Sequence, residues 1–233
     1  MDTRTALITG ASRGLGRALT AALADRGWRL VVDGRDAGRL ATAVEAFAHP
    51  DRVTAVPGDV ADPRHRAALA AAVGPRLDLL VNNASELGPS PLPSLADLRE
   101  ADLRHVLDVN VVAPLALVQA VLPALRTARG TVVDISSDAA VEAYAGWGGY
   151  GTSKAALDQL TAVLAVEHPE LRIYAVDPGD MATDMHQAAF PGEDISDRPA
   201  PESVVPALLA LLDGELPSGR YRAAELVPAE ANR

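Results

Sequence analysis

Residues 4–16 read RTALITGASRGLG, a short apolar run followed by a turn that contains three glycines. Residues 4–9 have the length and the apolar character of a buried β-strand. The apolar periodicity of about residues 15–26 is typical of an amphipathic helix. A strand, a glycine turn and a helix in this order predict the first unit of a doubly wound α/β domain.

The alternation of strand and helix continues along the chain. Strands that are apolar throughout are typical of a parallel sheet covered on both faces, with right-handed helical crossovers. The sequence therefore predicts one domain over residues 1–233, with a Rossmann fold whose parallel sheet has about seven strands and helices on both faces. Further strands are predicted at residues 29–33, 53–56, 77–81, 131–135, 172–176 and 221–227, and helices at 38–47, 63–73, 95–125, 150–167 and 202–212.

Composition excludes several classes of function. The formal net charge of −10 provides no cationic surface for nucleic acid or an anionic membrane, and the chain has no cysteine for disulfides, thiolate metal sites or nucleophilic catalysis. The five histidines have no metal-ligand spacing. No apolar stretch approaches a membrane span and no signal peptide pattern precedes the first strand. We therefore expect a cytoplasmic protein with no metal, no nucleic acid and no membrane among its partners.

The glycine turn is a candidate dinucleotide site. Glycine permits the tight turn and lets a pyrophosphate approach the backbone, while the following helix presents free N–H groups. A glycine turn without a ligand is the alternative, but the position between the first strand and the first helix favours the cofactor. The predicted contacts in this turn are Gly10, Ser12, Arg13, Gly14, Leu15 and Gly16.

Tyr150 and Lys154 are a candidate catalytic pair. Four residues of helix place them on one face, about 6 Å apart along the axis. Carbonyl reduction needs an acid for the developing alkoxide, and a nearby ammonium lowers the pKa of a phenol. Lys154 is the only lysine in the chain, which argues against a chance pair. Ser137 and its neighbour Ser136 end a predicted strand, where a hydroxyl can donate to the substrate carbonyl.

These motifs together resemble those of the short-chain dehydrogenase/reductase family. The glycine spacing is Thr-Gly-x-x-x-Gly-x-Gly, residues 82–85 read Asn-Asn-Ala-Ser where the family has Asn-Asn-Ala-Gly, and Tyr-x-x-x-Lys follows. The resemblance covers about residues 3–184, and residues 146–185 also have a weak similarity to sepiapterin reductases.

The resemblance implies roles for further residues. The family spacing selects Ser137 over Ser136 and gives Asn110 the role of the helical asparagine that supports a lysine-linked proton relay. It also implies an NAD(P) cofactor, a small carbonyl or alcohol substrate, and a homodimer or homotetramer. The implied cofactor contacts outside the glycine turn are Asp59 and Val60 at the adenine, Asn83 and Ala84, the catalytic Tyr150 and Lys154, and Pro178, Gly179 and Thr183 at the nicotinamide.

The end of the second predicted strand bears on the choice between NADP(H) and NAD(H). The family position of the NAD-selecting acid falls on Gly34, which has no side chain. Arg35 and Arg13 can hold a 2′-phosphate, so we predict NADP(H). The alternative is that Asp33 or Asp36 selects NAD(H) and the arginines are surface residues.

Residues 185–201, rich in Pro, Gly and Asp, are a candidate lid over the site. Asp180, before the lid, either binds a cationic or hydroxylated substrate or caps a loop. The predicted function is interconversion of a ketone or aldehyde and an alcohol with NADP(H). A sensor that binds NADPH without turnover is the alternative, and an epimerase or dehydratase is disfavoured by the glycine spacing.

Overall fold

One seven-stranded parallel sheet organises the protein. The computed structural model describes residues 3–226. The strands pair in the order β3-β2-β1-β4-β5-β6-β7, and every pair is parallel. Because β1 lies between β2 and β4, the winding reverses there, and a crevice forms at the carboxyl ends of these strands. The strands are β1 Thr5–Ile8, β2 Arg29–Gly34, β3 Val53–Pro57, β4 Leu79–Asn82, β5 Thr131–Ile135, β6 Arg172–Asp177 and β7 Gly219–Arg222.

Helices cover both faces of the sheet, as predicted. The fold class is therefore confirmed, although several boundaries differ. The helices are α1 Gly14–Asp25, α2 Ala37–Glu45, α3 Pro63–Val73, α4 Glu100–Leu107, α5 Ala113–Ala128, α6 Gly148–Glu167, α7 Asp184–Ala189, α8 Val205–Asp213 and α9 Ala223–Leu226.

Two apolar cores lie on opposite faces of the sheet. In β1, Ala6 and Ile8 face a core that includes residues of α1 and α8, whereas Leu7 faces a core that includes residues of α3 and α5. This alternation is the two-residue period of a β-strand. Burial on both faces explains why the strand is apolar at every position.

The prediction of a last strand at residues 221–227 is wrong in its bounds. β7 starts earlier, and residues 223–226 are helical, while Val227 lies outside the described residues. The strand reads Gly-Arg-Tyr-Arg and therefore has no apolar run. Its side chains Arg220 and Arg222 instead lie 3.5 and 3.9 Å from the carboxylate of Asp177. Ion pairs rather than apolar burial mark this edge strand, so hydrophobic patterning misplaced it.

The helix predicted at residues 95–125 is divided and begins later. Asp97 donates its backbone N–H to the carbonyl of Ser94 at 3.0 Å and accepts the Ser94 hydroxyl at 2.6 Å, which holds a turn before α4. A π-helical segment, Asp108–Val112, then separates α4 from α5. This segment contains Asn110.

The helical run Glu100–Ala128, which includes this π segment, is long and apolar enough to span a membrane by length and composition, because an 18-residue window within it has a mean hydropathy of 1.8. Sequence inspection missed it. In the fold, Leu117, Val121 and Leu125 of this run are buried in a core against the sheet. Its contacts are those of a core helix.

The candidate lid at residues 185–201 is not wholly irregular. Its first part belongs to α7, and the hydroxyl of Thr183 caps this helix by accepting the N–H of His186 at 3.2 Å. The lid is anchored further along, where the N–H of Ala182 donates to the carbonyl of Pro199 at 2.8 Å. The Pro- and Gly-rich composition concealed a six-residue helix with its own cap.

Candidate functional site

A cleft of about 530 Å³ lies at the carboxyl edge of the sheet. It brings together nearly all the site residues that the sequence predicts. Only Gly16 and Asn110 among them do not line its wall, and both lie directly behind it, as described below. The predicted residues on the wall are Gly10, Ser12, Arg13, Gly14, Leu15, Arg35, Asp59, Val60, Asn83, Ala84, Ser137, Tyr150, Lys154, Pro178, Gly179 and Thr183.

The glycine turn forms a cradle that side chains would fill. Gly10 has φ +69°, in the left-handed region. A Cβ on Gly16 would lie 2.5 Å from both the side-chain nitrogen of Asn83 and the carbonyl oxygen of Gly10. Asn83 in turn donates to the carbonyls of Thr9 at 2.8 Å and Gly10 at 3.1 Å. Asn83 therefore fixes the turn that presents the N-terminus of α1 to the cleft, and these residues fit a pyrophosphate.

Both acids of β2 and its following turn are engaged in structural contacts. Asp33 is buried and accepts the N–H of Gly10 at 2.6 Å, and it lies 3.0 Å from Nε2 of His65. Burial raises the pKa of Asp33. Asp36 caps α2 by accepting the N–H of Arg39 at 2.9 Å. His65 was missed by sequence reasoning, because its link to Asp33 spans 32 residues.

Three arginines line the end of the cleft where the family resemblance places the adenosine. Arg35 lies 3.2 Å from a carboxylate oxygen of Glu86. Arg13 binds Asp184, and Arg39 lies 3.5 Å from the same carboxylate. Arg39 was not predicted, although its place one turn into α2 after Arg35 is a signal that could have found it.

Tyr150 and Lys154 lie in the same cleft, as their spacing predicts. Both are buried, and Nζ of Lys154 lies 5.4 Å from the centre of the Tyr150 ring. Nζ donates to the carbonyl of Ile135 at 2.7 Å. Burial lowers the pKa of Lys154 to about 8. Burial also raises the pKa of Tyr150, an effect that the sequence argument, which considered only the ammonium, left out.

Hydroxyl groups oppose this effect at Tyr150. The side-chain hydroxyls of Ser85 and Ser137 interact with the Tyr150 phenol and lower its pKa. Ser137 also donates to Asp138 at 2.9 Å and accepts the N–H of Ala139 at 3.1 Å. Within residues 3–226, the buried hydroxyl of Ser136 has no hydrogen-bond partner. Of the two serines, Ser137 is the one placed at the phenol.

Asn110 joins two segments behind the cleft. Its side chain accepts the N–H of Glu86 at 2.7 Å and donates to the carbonyl of Glu86 at 2.8 Å. It also donates to the hydroxyl of Ser153 at 2.9 Å, which donates to the carbonyl of Tyr150 at 2.6 Å. Its amide oxygen accepts the hydroxyl of Ser85 at 3.2 Å. Asn110 therefore holds the loop after β4 against α6. The hydrogen bond of Ser85 to Asn110 is a contact that the sequence did not predict.

The loop after β6 closes the end of the cleft where the family resemblance places the nicotinamide. The carboxylate of Asp177 accepts the N–H of Gly179 at 3.0 Å, which fixes the Pro178–Gly179 turn. Asp180 lies 3.8 Å from His186 and 3.7 Å from Arg198. These contacts favour the loop-holding role of Asp180 over a substrate role.

Aromatic and apolar side chains form the wall beside Tyr150. The Trp147 ring meets the Tyr150 ring edge-on at 5.7 Å and lies 6.0 Å from Phe190. Leu87 and Met185 belong to the same cluster. Within residues 3–226, no group of three His, Asp or Glu side chains is placed to hold a metal ion.

A parallel sheet with a glycine cradle at its switch point and a buried tyrosine–lysine pair beside it defines a dinucleotide-binding oxidoreductase. The family model described as short chain dehydrogenase matches residues 4–194. The chain therefore belongs to the short-chain dehydrogenase/reductase family, as the resemblance predicted.

Individual relatives agree with this assignment. Mouse sepiapterin reductase is 35% identical over 199 residues, which are 78% of this chain and 76% of that protein. The uncharacterized oxidoreductase YciK of Escherichia coli K12 is 31% identical over 224 residues, 91% of this chain and 87% of that protein. A short chain dehydrogenase structure from Escherichia coli CFT073, complexed with NADPH, superposes with a TM-score of 0.87 at 30% identity, covering 96% of this chain and 97% of that chain.

Proposed function

We propose that this protein interconverts a ketone or aldehyde and the corresponding alcohol with NADP(H). The observation that carries the proposal is the position of Tyr150, buried in the cleft with its ring centre 5.4 Å from Nζ of Lys154 and with Ser137 in the same cleft. The cofactor supplies or accepts the hydride. A phenol at this place can supply the proton that the product oxygen needs.

The residues of the chain divide this work. The cradle around Gly10 and Gly16 holds the pyrophosphate. The hydroxyl of Ser137 donates to the substrate carbonyl and stabilises the charge that develops on its oxygen. Tyr150 transfers the proton at its hydroxyl, and the Lys154 ammonium favours the phenolate. Asn110 is a positioning residue, because its contacts hold the backbone of Tyr150 through Ser153.

The choice of NADP(H) over NAD(H) is supported by two features of the adenosine end: arginines line it, and Gly34 leaves little room for an acidic side chain. Gly34 provides no acid there, and a Cβ on it would lie 3.1 Å from the side chain of Ser12. Asp33 and Asp36 are held by other partners. The guanidinium groups of Arg13 and Arg35 remain the predicted phosphate ligands, and a structural neighbour binds NADPH.

Arg35→Ala tests the cofactor preference. We expect the Kd for NADPH to rise about tenfold or more, because a charge-assisted hydrogen bond contributes roughly 1.5–3 kcal/mol, while the Kd for NADH changes little. Fluorescence titration with each cofactor measures both values. An unchanged ratio of the two constants would remove the argument from Arg35.

A panel of aldehydes and ketones with NADPH, followed at the nicotinamide absorbance, tests the activity itself. We expect oxidation of NADPH with at least one carbonyl compound. Tight NADPH binding without turnover on any member of a broad panel would instead favour the alternative, a cofactor-binding sensor.

The same proposal includes a single domain with a lid, and a homodimer or homotetramer in the cytoplasm. Val163 and Val166 of α6 are 41% and 81% exposed, as expected for a helix that packs against another subunit. Sedimentation of the purified protein measures the oligomeric state.

A further inference from the structure

Asp184 brings the start of the lid to the adenosine end of the cleft. It is the first residue of α7, and its carboxylate binds Arg13 of the glycine turn. Arg39 of α2 lies 3.5 Å from the same oxygen. All three residues line the cleft. One carboxylate therefore occupies two cations at the place where the cofactor preference is decided.

We propose that Asp184 is a specificity-determining residue that competes with the 2′-phosphate of NADP(H) for Arg13 and Arg39, so that phosphate binding releases the start of α7. The inference rests on the proposed NADP(H) function and adds Arg39 to the phosphate ligands. Both anions would compete for these donors: Asp184 approaches both guanidinium groups with one carboxylate oxygen, and it would repel a phosphate brought to the same two groups.

The exchange is physically accessible. The side chains of Arg13, Arg39 and Asp184 are 50%, 52% and 65% exposed. Ion pairs as exposed as these change an equilibrium by about fivefold at most. A phosphate brings more charge and more acceptor oxygens than a carboxylate, so it can displace Asp184 while Asp184 still reduces its affinity.

Release of Asp184 would affect the wall beside Tyr150, because the short helix α7 connects the two. Met185 and His186 follow Asp184 in α7, and the His186 ring lies 5.0 Å from the Phe190 ring. Phe190 packs against Trp147, which meets Tyr150. The adenosine end and the wall beside Tyr150 are therefore connected by contiguous contacts.

Asp184→Asn tests the competition without turnover. The probes are adenosine 2′,5′-bisphosphate and AMP, which differ only in the 2′-phosphate. We expect the variant to bind the bisphosphate about two- to fivefold more tightly and AMP unchanged, as measured by calorimetry at low salt. The matched control is Asp213→Asn, which removes the exposed pair with Arg26 and should change neither affinity.

Unchanged or weaker bisphosphate binding by Asp184→Asn would overturn the inference and leave the proposed function intact. Wild-type protein that binds AMP as tightly as the bisphosphate would overturn the NADP(H) preference as well as this inference. The two failures are therefore distinguishable.

Hydrogen exchange tests the release of the lid. We expect the bisphosphate, but not AMP, to accelerate amide exchange in the peptide that contains residues 184–190 of wild-type protein. Asp184→Asn should show the faster exchange without any nucleotide. Equal exchange with the two nucleotides would exclude coupling between the phosphate and α7.

Discussion

Tyr150→Phe is expected to reduce kcat about 10³-fold or more while the Kd for NADPH stays within about threefold of wild type. The hydroxyl is the only group removed, and a positioned general acid contributes roughly 10²–10⁴-fold to rate. The phenyl ring can still occupy the buried position against Trp147. The variant should therefore fold, bind cofactor and lack the proton donor.

The matched control is Tyr144→Phe. The Tyr144 hydroxyl lies near the same cleft, 2.7 Å from a carboxylate oxygen of Glu142 and 3.0 Å from one of Asp138, but the residue is 43% exposed. We expect less than a fivefold change in kcat for this control, because an exposed hydrogen bond contributes only about 1 kcal/mol or less. Turnover by Tyr150→Phe within tenfold of wild type would show that another group supplies the proton.

Features that are encoded locally could be predicted from the sequence. The glycine turn, the six strands before β7 and the pair Tyr150–Lys154 each depend on residues a few positions apart. The periodicity of apolar residues and the presence of turn-forming residues predict such features directly. The combined order of motifs then predicted the family and the cleft.

Features that depend on distant partners could not be predicted in this way. His65 holds Asp33 from 32 residues away, and Asp184 reaches Arg13 over 171 residues. The edge strand β7 is marked by ion pairs to Asp177 rather than by an apolar run. Such contacts exist only after the sheet has assembled, so no local pattern reveals them.

The pKa of Tyr150 also depends on partners that local sequence patterns do not reveal. Four residues of spacing indicated that an ammonium lies near the phenol, and the structure agrees. Spacing gave no measure of burial, which acts on both groups and raises the pKa of Tyr150. Nor did it show that Ser85, placed where the family has glycine, contributes a second hydroxyl to the phenol. The sequence predicted which groups take part in the chemistry, whereas the pKa values of these groups depend on the residues packed around them.

Lys154→Met is expected to lower kcat/KM about 10²-fold or more, because the phenolate loses the ammonium that favours it. Burial lowers the pKa of Lys154 from 10.5 to about 8, so the wild-type ammonium is present below about pH 8 and is lost above it. A profile of kcat/KM against pH should fall above about pH 8 in wild type, and this inflection should be absent from Lys154→Met. Lys154→Arg should not restore activity, because a guanidinium group is larger and cannot replace a compact ammonium in this buried place.

Thermal unfolding separates this loss from misfolding. A lysine whose folded pKa lies below its unfolded pKa costs stability, and that cost is fully present below about pH 8 and disappears as the pH rises towards 10.5. Methionine removes the buried charge, which offsets the lost hydrogen bond to the carbonyl of Ile135. We therefore expect the Tm of Lys154→Met at pH 7 to be at least equal to that of wild type. Lost activity together with a retained Tm would show that the substitution acts on the phenol and not on folding. An inflection near pH 8 that persists in the variant would show that the inflection belongs to a group other than Lys154.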